Sequence, residues 1–123
     1  MEKLKKSYET LKKSTREKKV ITTTTQNKER KKLIGDIVKE IANGVCQLCN
    51  QPAPFVNKDQ RPYLECHHVQ WLERGGADDV YNAVAICPNC HKKMHILDLE
   101  QDVKKLEKVA NKNMTSFNEY KKS

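Results

Sequence analysis

The sequence is poor in the residues from which a hydrophobic core is built. Only 37% of its 123 residues are hydrophobic and 6% are aromatic, whereas 33% are charged. A core this thin is marginal for a chain of this length, so we expect a second constraint to stabilise the fold. No hydrophobic run approaches the roughly 18 residues that a membrane span needs, and no apolar segment of the signal-peptide type follows the N-terminus. The sequence therefore predicts a soluble, cytoplasmic protein with no membrane partner.

The positive charge is concentrated near the N-terminus. The chain carries 24 Lys and Arg against 16 Asp and Glu, a net charge of +8. Thirteen of the basic residues but only six of the acidic ones lie in residues 1–40. Such a surplus suits a polyanionic partner. The alternative is a solvated helical face that binds nothing, and charge alone does not decide between the two.

The N-terminal third has the pattern of two helices. Hydrophobic residues at helical spacing predict a first helix over residues 2–13 and a second helix whose apolar positions run from Leu33 to Ile41. Asn27 is a candidate N-cap of the second helix, and Gly44 is a candidate C-terminal stop. The β-branched run at residues 21–25 predicts a break between the two helices.

The remainder of the chain predicts a hairpin and two further helices. Residues 63–69 and 83–86 have the composition of strands, with a glycine-containing loop between them. A helical pattern follows the second strand. Asp98, with Gln101 three residues later, resembles a capping box and therefore predicts a break followed by a last helix.

Four of the five cysteines form two Cys-x-x-Cys pairs, Cys46 with Cys49 and Cys87 with Cys90. Each tight turn offers two sulfurs, and zinc prefers a tetrahedral set of thiolates, so the two pairs predict a closed, structural Zn²⁺ site. Disulfides are disfavoured in an intracellular chain, and a redox pair needs no second pair of cysteines. The remaining cysteine, Cys66, is interpreted as a small buried hydrophobe, the alternative being a fifth metal ligand or a reactive thiol.

The four histidines lie in the same segment as the cysteines. His67 and His68 are adjacent in the first predicted strand, so their side chains point to opposite faces. His91 and His95 are four residues apart on a predicted helix and share a face, a spacing at which two imidazoles bind one metal ion. One strand histidine and the helical pair make a three-histidine site, and the other strand histidine is available as a base. The alternative is an accessory metal site or a set of surface histidines.

Taken together, these motifs resemble those of the HNH endonucleases. The matching blocks are Cys46-x-x-Cys49, Leu64-Glu-Cys-His-His-Val69, Gly75-Gly76-Ala-Asp78, Asn82-Ala-Val-Ala-Ile-Cys-Pro-Asn-Cys-His91 and His95. They cover residues 45–97 and are most like the zinc-knuckle branch of restriction-type and phage nucleases. The resemblance implies an α+β fold, a small ββα-metal core stabilised by zinc with flanking helices. The chain then divides into a basic helical arm at 1–43, a nuclease domain at 44–97, and a C-terminal helix and tail at 98–123.

The resemblance also implies a catalytic role for each matching residue. His68 corresponds to the general base that takes a proton from the attacking water. Asn82 corresponds to the asparagine that steadies the loop and helps to orient that base. His67 and His91 correspond to ligands of the catalytic divalent ion, and His95 corresponds to a third ligand found in histidine-rich members.

The activity implied by the resemblance is metal-dependent hydrolysis of DNA phosphodiester bonds. Three imidazoles suit Zn, Ni, Co or Mn, and Mg serves family members whose ligands include oxygen. The expected partner is double-stranded DNA. A homodimer or a fused specificity region is expected in a restriction role, because a domain this small cannot read a long site alone. The alternative is a non-catalytic, zinc-stabilised module that only binds nucleic acid.

Overall fold

The computed structural model describes residues 1–17 and 24–120, and within these ranges four α-helices flank a two-stranded antiparallel sheet. In chain order the elements are α1 Glu2–Glu17, α2 Thr24–Ala42, β1 Glu65–His68, β2 Ala83–Ile86, α3 Pro88–Leu97 and α4 Glu100–Glu119. The α+β class is therefore confirmed, and a helix follows the hairpin directly, as predicted.

The two predicted N-terminal helices are confirmed, but the second begins earlier than predicted. It starts at Thr24, inside the run in which a break was expected, and residues 21–23 of that run lie outside the described part of the chain. Asn27 consequently lies inside the helix and is not its N-cap. The low helix propensity of threonine is a weak preference that its context overrides. Gly44 has φ 83° and stops the helix, as predicted.

The strands β1 and β2 pair with Glu65 opposite Ile86 and His68 opposite Ala83. The second predicted strand is confirmed residue for residue, whereas β1 is shorter than residues 63–69. Every residue of β2 is buried, because α2 packs against both strands and α4 packs against β2. A hairpin this short is not stable in isolation, so the helices supply the burial that maintains it.

The break between α3 and α4 is confirmed, but the predicted capping box is wrong. Asp98 has φ 46° and ψ 45°, and it ends α3 as a C-cap whose backbone N–H donates to the Met94 carbonyl. Leu99 occupies the N-cap position of α4 without a side-chain capping bond. The Asp98 carboxylate is instead paired with Arg74, with 3.0 Å between Nη1 and Oδ2, so it is not oriented toward the first turn of α4.

The first and last helices meet across the core. The rings of Tyr8 and Phe117 pack edge to face with their centroids 5.0 Å apart. The Lys5 ammonium donates to the backbone carbonyls of Phe117 and Tyr120, at 2.7 and 3.1 Å, where α4 ends and its carbonyls lack helical partners. In the described part of the chain, none of the helices has the length and apolar character to cross a bilayer.

Candidate active site and zinc centre

The four paired cysteines converge on one point. The sulfur atoms of Cys46, Cys49, Cys87 and Cys90 all lie within 4.8 Å of one another. The Cys46 sulfur accepts hydrogen bonds from the backbone N–H groups of Leu48 and Cys49, and the Cys87 sulfur accepts one from Cys90. Burial opposes ionisation of Cys46, but the donors outweigh it and lower the pKa of this thiol to about 7. The cluster can hold the structural zinc ion that the spacing predicts.

A partly buried amide pair attaches the first cysteine turn to the rest of the domain. Gln47 donates through Nε2 to Asn113 Oδ1 at 2.8 Å, and Asn113 donates through Nδ2 to Gln47 Oε1 at 3.0 Å. Asn113 also donates to the Ala83 carbonyl, and Gln47 Oε1 accepts from the Ala85 N–H. These bonds link the turn to both β2 and α4. No sequence pattern marks this pair, since its members lie 66 residues apart.

His67, His91 and His95 converge on a second point. One ring nitrogen from each lies within 4.8 Å of the other two, and the Nε2 atoms of His91 and His95 are 3.1 Å apart. β1 supplies His67, and α3 supplies the other two from successive turns of one face. The structure thus brings together the three histidines that the sequence selected as metal ligands.

The three-histidine cluster has the chemistry that a metal ion requires. His67 is only 2% exposed, and its Nε2 is buried without a hydrogen-bond partner in the described structure. Burial, reinforced by the neighbouring imidazoles, lowers the pKa of His67 to about 4, so that its ring is neutral at pH 7 and offers a lone pair. Two imidazoles on one tetrahedral zinc ion, with bonds of about 2.0–2.1 Å, place their nitrogens roughly 3.3 Å apart. The His91 and His95 nitrogens, 3.1 Å apart, are close to that separation.

Glu65 orients His91 from the side away from the cluster. Its Oε1 lies 2.9 Å from His91 Nδ1, and its Oε2 accepts a hydrogen bond from the Tyr63 hydroxyl at 2.6 Å. The bond from Tyr63 opposes the effect of burial and, together with His91, lowers the pKa of Glu65. A carboxylate that accepts from Nδ1–H leaves the Nε2 lone pair directed at the cluster. The sequence assigns no role to Glu65, because nothing in it indicates a contact across 26 residues.

His68 is held by a different carboxylate. Its Nε2 lies 2.8 Å from Asp78 Oδ1, and the two side chains are 15% and 18% exposed. This contact fixes the ring and leaves Nδ1 as the nitrogen that can accept a proton. Asp78 lies in the block Gly75-Gly76-Ala-Asp78, one of those that resemble the HNH endonucleases. Its contact with His68 was not predicted from the sequence.

Asn82 holds together the two ends of the loop that connects the strands. Its Nδ2 donates to the carbonyls of Gln70 and Ala77, at 2.9 and 2.8 Å, and its Oδ1 accepts from the Gln70 N–H at 2.9 Å. The loop closes tightly at Gly76, where a Cβ atom would collide with the Gln70 carbonyl oxygen. Asn82 therefore steadies the loop that carries Asp78, and its side chain makes no direct hydrogen bond to His68 in the described structure.

The N-terminal helices support the same loop from outside. The Tyr8 hydroxyl donates to Asp79 Oδ1 at 2.6 Å. Arg30 donates from Nε to the backbone carbonyl of Asp78 at 2.9 Å, and its guanidinium lies 3.6 Å from the Asp79 carboxylate. Both helices thus contribute to the position of the carboxylate that holds His68.

Trp71 packs against the histidine cluster, whereas Cys66 packs against α2. The Trp71 ring packs on His95, with ring centroids 4.9 Å apart, and the Arg74 guanidinium lies 4.0 Å from the Trp71 ring centroid. Cys66 belongs to neither cluster and packs against α2 at Gly35. Burial raises the pKa of its thiol to about 12, in agreement with its interpretation as a small hydrophobe.

Part of the sequence is similar to known proteins and to the family model of a group of nucleases. Residues 46–96 match the family model of the HNH endonucleases. Over 54 residues, the chain is 52% identical to the Type IV methyl-directed restriction enzyme EcoKMcrA of Escherichia coli strain K12; this covers 44% of the chain and 20% of the enzyme. Over 66 residues, it is 29% identical to Anaredoxin of Nostoc sp. strain PCC 7120, covering 54% of the chain and 76% of Anaredoxin.

The fold is also found in a solved structure. The Type IV phosphorothioation-dependent restriction endonuclease ScoMcrA superposes with a TM-score of 0.69 over 94% of this chain and 22% of that one. The sequence identity is 22%, so the likeness shows a shared fold. The chain spans about a fifth of the length of each of the two restriction enzymes.

Proposed function

We propose that the protein is a metal-dependent endonuclease that hydrolyses DNA phosphodiester bonds, because residues 46–96 match the family model of the HNH endonucleases. The observation that carries this proposal is the convergence of His67, His91 and His95, with a buried nitrogen on His67 that has no hydrogen-bond partner among the described residues. A module that only binds nucleic acid does not require a second set of metal ligands beside its zinc centre. It also does not require a fourth histidine held by a carboxylate.

The three histidines would hold the catalytic ion. Their imidazoles favour Zn, Ni, Co or Mn over Mg, which prefers oxygen ligands. When bound, such an ion stabilises the charge that develops on the phosphate and on the departing 3′ oxygen. Glu65 keeps the His91 ring in the tautomer that can bind the ion, and Trp71 packs against the ring of His95.

His68 acts as the general base. Its Nδ1 accepts a proton from the attacking water while Asp78 retains the hydrogen bond to Nε2. A base positioned in this way contributes roughly 10²–10⁴-fold to the rate of such a reaction. In-line attack then yields 5′-phosphate and 3′-hydroxyl ends. Asn82 contributes indirectly, because it closes the loop that carries Asp78.

The four cysteines hold a structural zinc ion. Four thiolates leave no coordination position for water or substrate, so this ion takes no part in the reaction. Its role is to hold the turn at Cys46 to the start of α3, where Cys87 lies. We assign double-stranded DNA as the substrate, with a homodimer or a further specificity region reading the target.

Plasmid nicking tests this function. The zinc-loaded chain is incubated with supercoiled plasmid and Mn²⁺, Co²⁺, Ni²⁺, Zn²⁺ or Mg²⁺, with EDTA as the metal-free control. We expect nicked or linear product with at least one ion and none with EDTA. His91→Ala, prepared in parallel, excludes a contaminating nuclease. Binding of DNA without any cleavage would favour the non-catalytic alternative.

A further inference from the structure

We propose that the Tyr63 hydroxyl is a positioning group for the three-histidine metal site, acting through Glu65 on the ring of His91. This inference rests on the proposed function, because it concerns the ion that His91 would hold. Tyr63 lies outside β1 and outside both ligand clusters.

A continuous chain of contacts joins the tyrosine to the site. The Tyr63 hydroxyl donates to Glu65 Oε2 at 2.6 Å, and the other carboxylate oxygen lies 2.9 Å from His91 Nδ1. The opposite nitrogen of His91 faces His95 Nε2 at 3.1 Å. Both oxygens of Glu65 are therefore engaged. Rotation of the carboxylate away from His91 would break the bond to Tyr63 as well.

The tyrosine itself is fixed by the loop before β1. The ring of Phe55 stacks on that of Tyr63 with centroids 4.7 Å apart and an interplanar angle of 14°. The Tyr63 N–H donates to the Phe55 carbonyl at 2.8 Å. Phe55 is 53% exposed, which is unusual for a phenylalanine. Its stacking contact restrains the Tyr63 ring and therefore the position of the hydroxyl that the ring carries.

The hydroxyl matters because Glu65 is not enclosed by the protein. Its side chain is 31% exposed, so without Tyr63 the carboxylate gains solvent contacts and rotational freedom. His91 then loses part of the restraint that keeps its proton on Nδ1. Loss of a direct partner of a metal-binding histidine typically weakens metal binding by about 10–100-fold. Tyr63 acts one step further away through one hydrogen bond, so we expect a smaller loss of roughly 3–10-fold.

Calorimetric titration with Co²⁺ tests the inference on the zinc-loaded chain. Tyr63→Phe removes the hydroxyl and retains the ring that stacks on Phe55. Tyr81→Phe is the matched control, since Tyr81 is 50% exposed and makes no contact with the histidine cluster in the described structure. We expect Tyr63→Phe to weaken Co²⁺ binding roughly 3–10-fold, and Tyr81→Phe to leave it unchanged. The melting temperature of Tyr81→Phe should match the wild type, and that of Tyr63→Phe, which loses one hydrogen bond, should lie within a few degrees of it.

Nitrogen NMR of the metal-free histidines provides the second measurement. In the wild type the His91 ring should carry its proton on Nδ1, and in Tyr63→Phe the two tautomers should be more evenly populated. Unchanged Co²⁺ affinity in Tyr63→Phe would overturn the inference. A weaker affinity with a lower melting temperature and an unchanged His91 tautomer would also overturn it, because the effect would then be structural.

A further variant separates this inference from the proposed function. If the wild type binds Co²⁺ and His91→Ala does not, the metal site exists and Tyr63→Phe decides the inference alone. If the wild type and His91→Ala bind Co²⁺ equally poorly, the metal site itself is refuted, and the role of Tyr63 is refuted with it.

Discussion

Asp78 provides a direct test of how His68 is activated. The change Asp78→Ala removes the carboxylate that lies 2.8 Å from His68 Nε2 and leaves both histidines of β1 in place. The loop should keep its position, because Arg30 is bonded to the backbone carbonyl of Asp78 rather than to its side chain. The variant therefore isolates the orientation of the base from the fold.

The magnitude follows from the nature of this contact. Both side chains are largely buried, at 15% and 18% exposure, so water replaces the carboxylate poorly. A hydrogen bond to a charged group contributes about 1.5–3 kcal/mol. If that free energy is lost in the transition state, the cleavage rate falls roughly 10–150-fold. Binding of the metal ion should not change, since Asp78 does not contact the three-histidine cluster in the described structure.

Single-turnover cleavage of plasmid, with protein and metal ion both saturating, measures this rate. Asp59→Ala is the control, because it removes the same charge from an exposed position. We expect wild-type rates for Asp59→Ala, and similar DNA and metal affinities for both variants. An unchanged rate in Asp78→Ala would refute the assignment of Asp78 as the group that orients His68.

Three further predictions concern the zinc centre and the core. Cys87→Ser should yield unfolded or insoluble protein, because structural zinc contributes on the order of 10 kcal/mol; a folded variant with an unchanged melting temperature would contradict the zinc site. Asn113→Ala should lower the free energy of unfolding by about 2–4 kcal/mol, because Gln47 and the Ala83 carbonyl lose their partner. The control Asn111→Ala, at an exposed position, should have a free energy of unfolding within about 0.5 kcal/mol of the wild type. Equal denaturation midpoints for Asn113→Ala and Asn111→Ala would contradict the role of the amide pair. Burial raises the pKa of the Cys66 thiol to about 12, so this thiol stays protonated at pH 8 and iodoacetamide should label it slowly in the native protein; rapid labelling of Cys66 itself at pH 8 would contradict the raised pKa.

Features that depend on neighbouring residues could be predicted from the sequence. β2 lies where its short apolar run indicates, and α3 places His91 and His95 on one face because of their spacing. The two cysteine pairs converge because each turn presents its sulfurs together. The alternation of side chains along a strand and the period of a helix are set by residues close together in the sequence, so a local pattern predicts them.

Features that depend on partners distant in the chain could not be predicted. Asp98 has the local pattern of an N-cap, but its carboxylate pairs with Arg74 and its backbone ends α3 instead. The contacts of Glu65 with His91 and of Tyr8 with Asp79 join residues 26 and 71 positions apart. A single polar residue has no periodicity that would indicate such a partner. The side chains that orient the proposed ligands and base can therefore be identified only in the folded structure.

The most direct test of the account is to compare His67→Ala with His68→Ala, which are adjacent in the chain but assigned different roles. Each variant is titrated with Co²⁺ by calorimetry, and its plasmid cleavage is measured over a range of metal concentrations. We predict that His68→Ala retains Co²⁺ affinity and loses roughly 10²–10⁴-fold in rate at every metal concentration. We predict that His67→Ala loses Co²⁺ affinity and recovers part of its activity at high metal concentration. Full cleavage by His68→Ala, or loss of the metal from that variant instead of from His67→Ala, would contradict the mechanism.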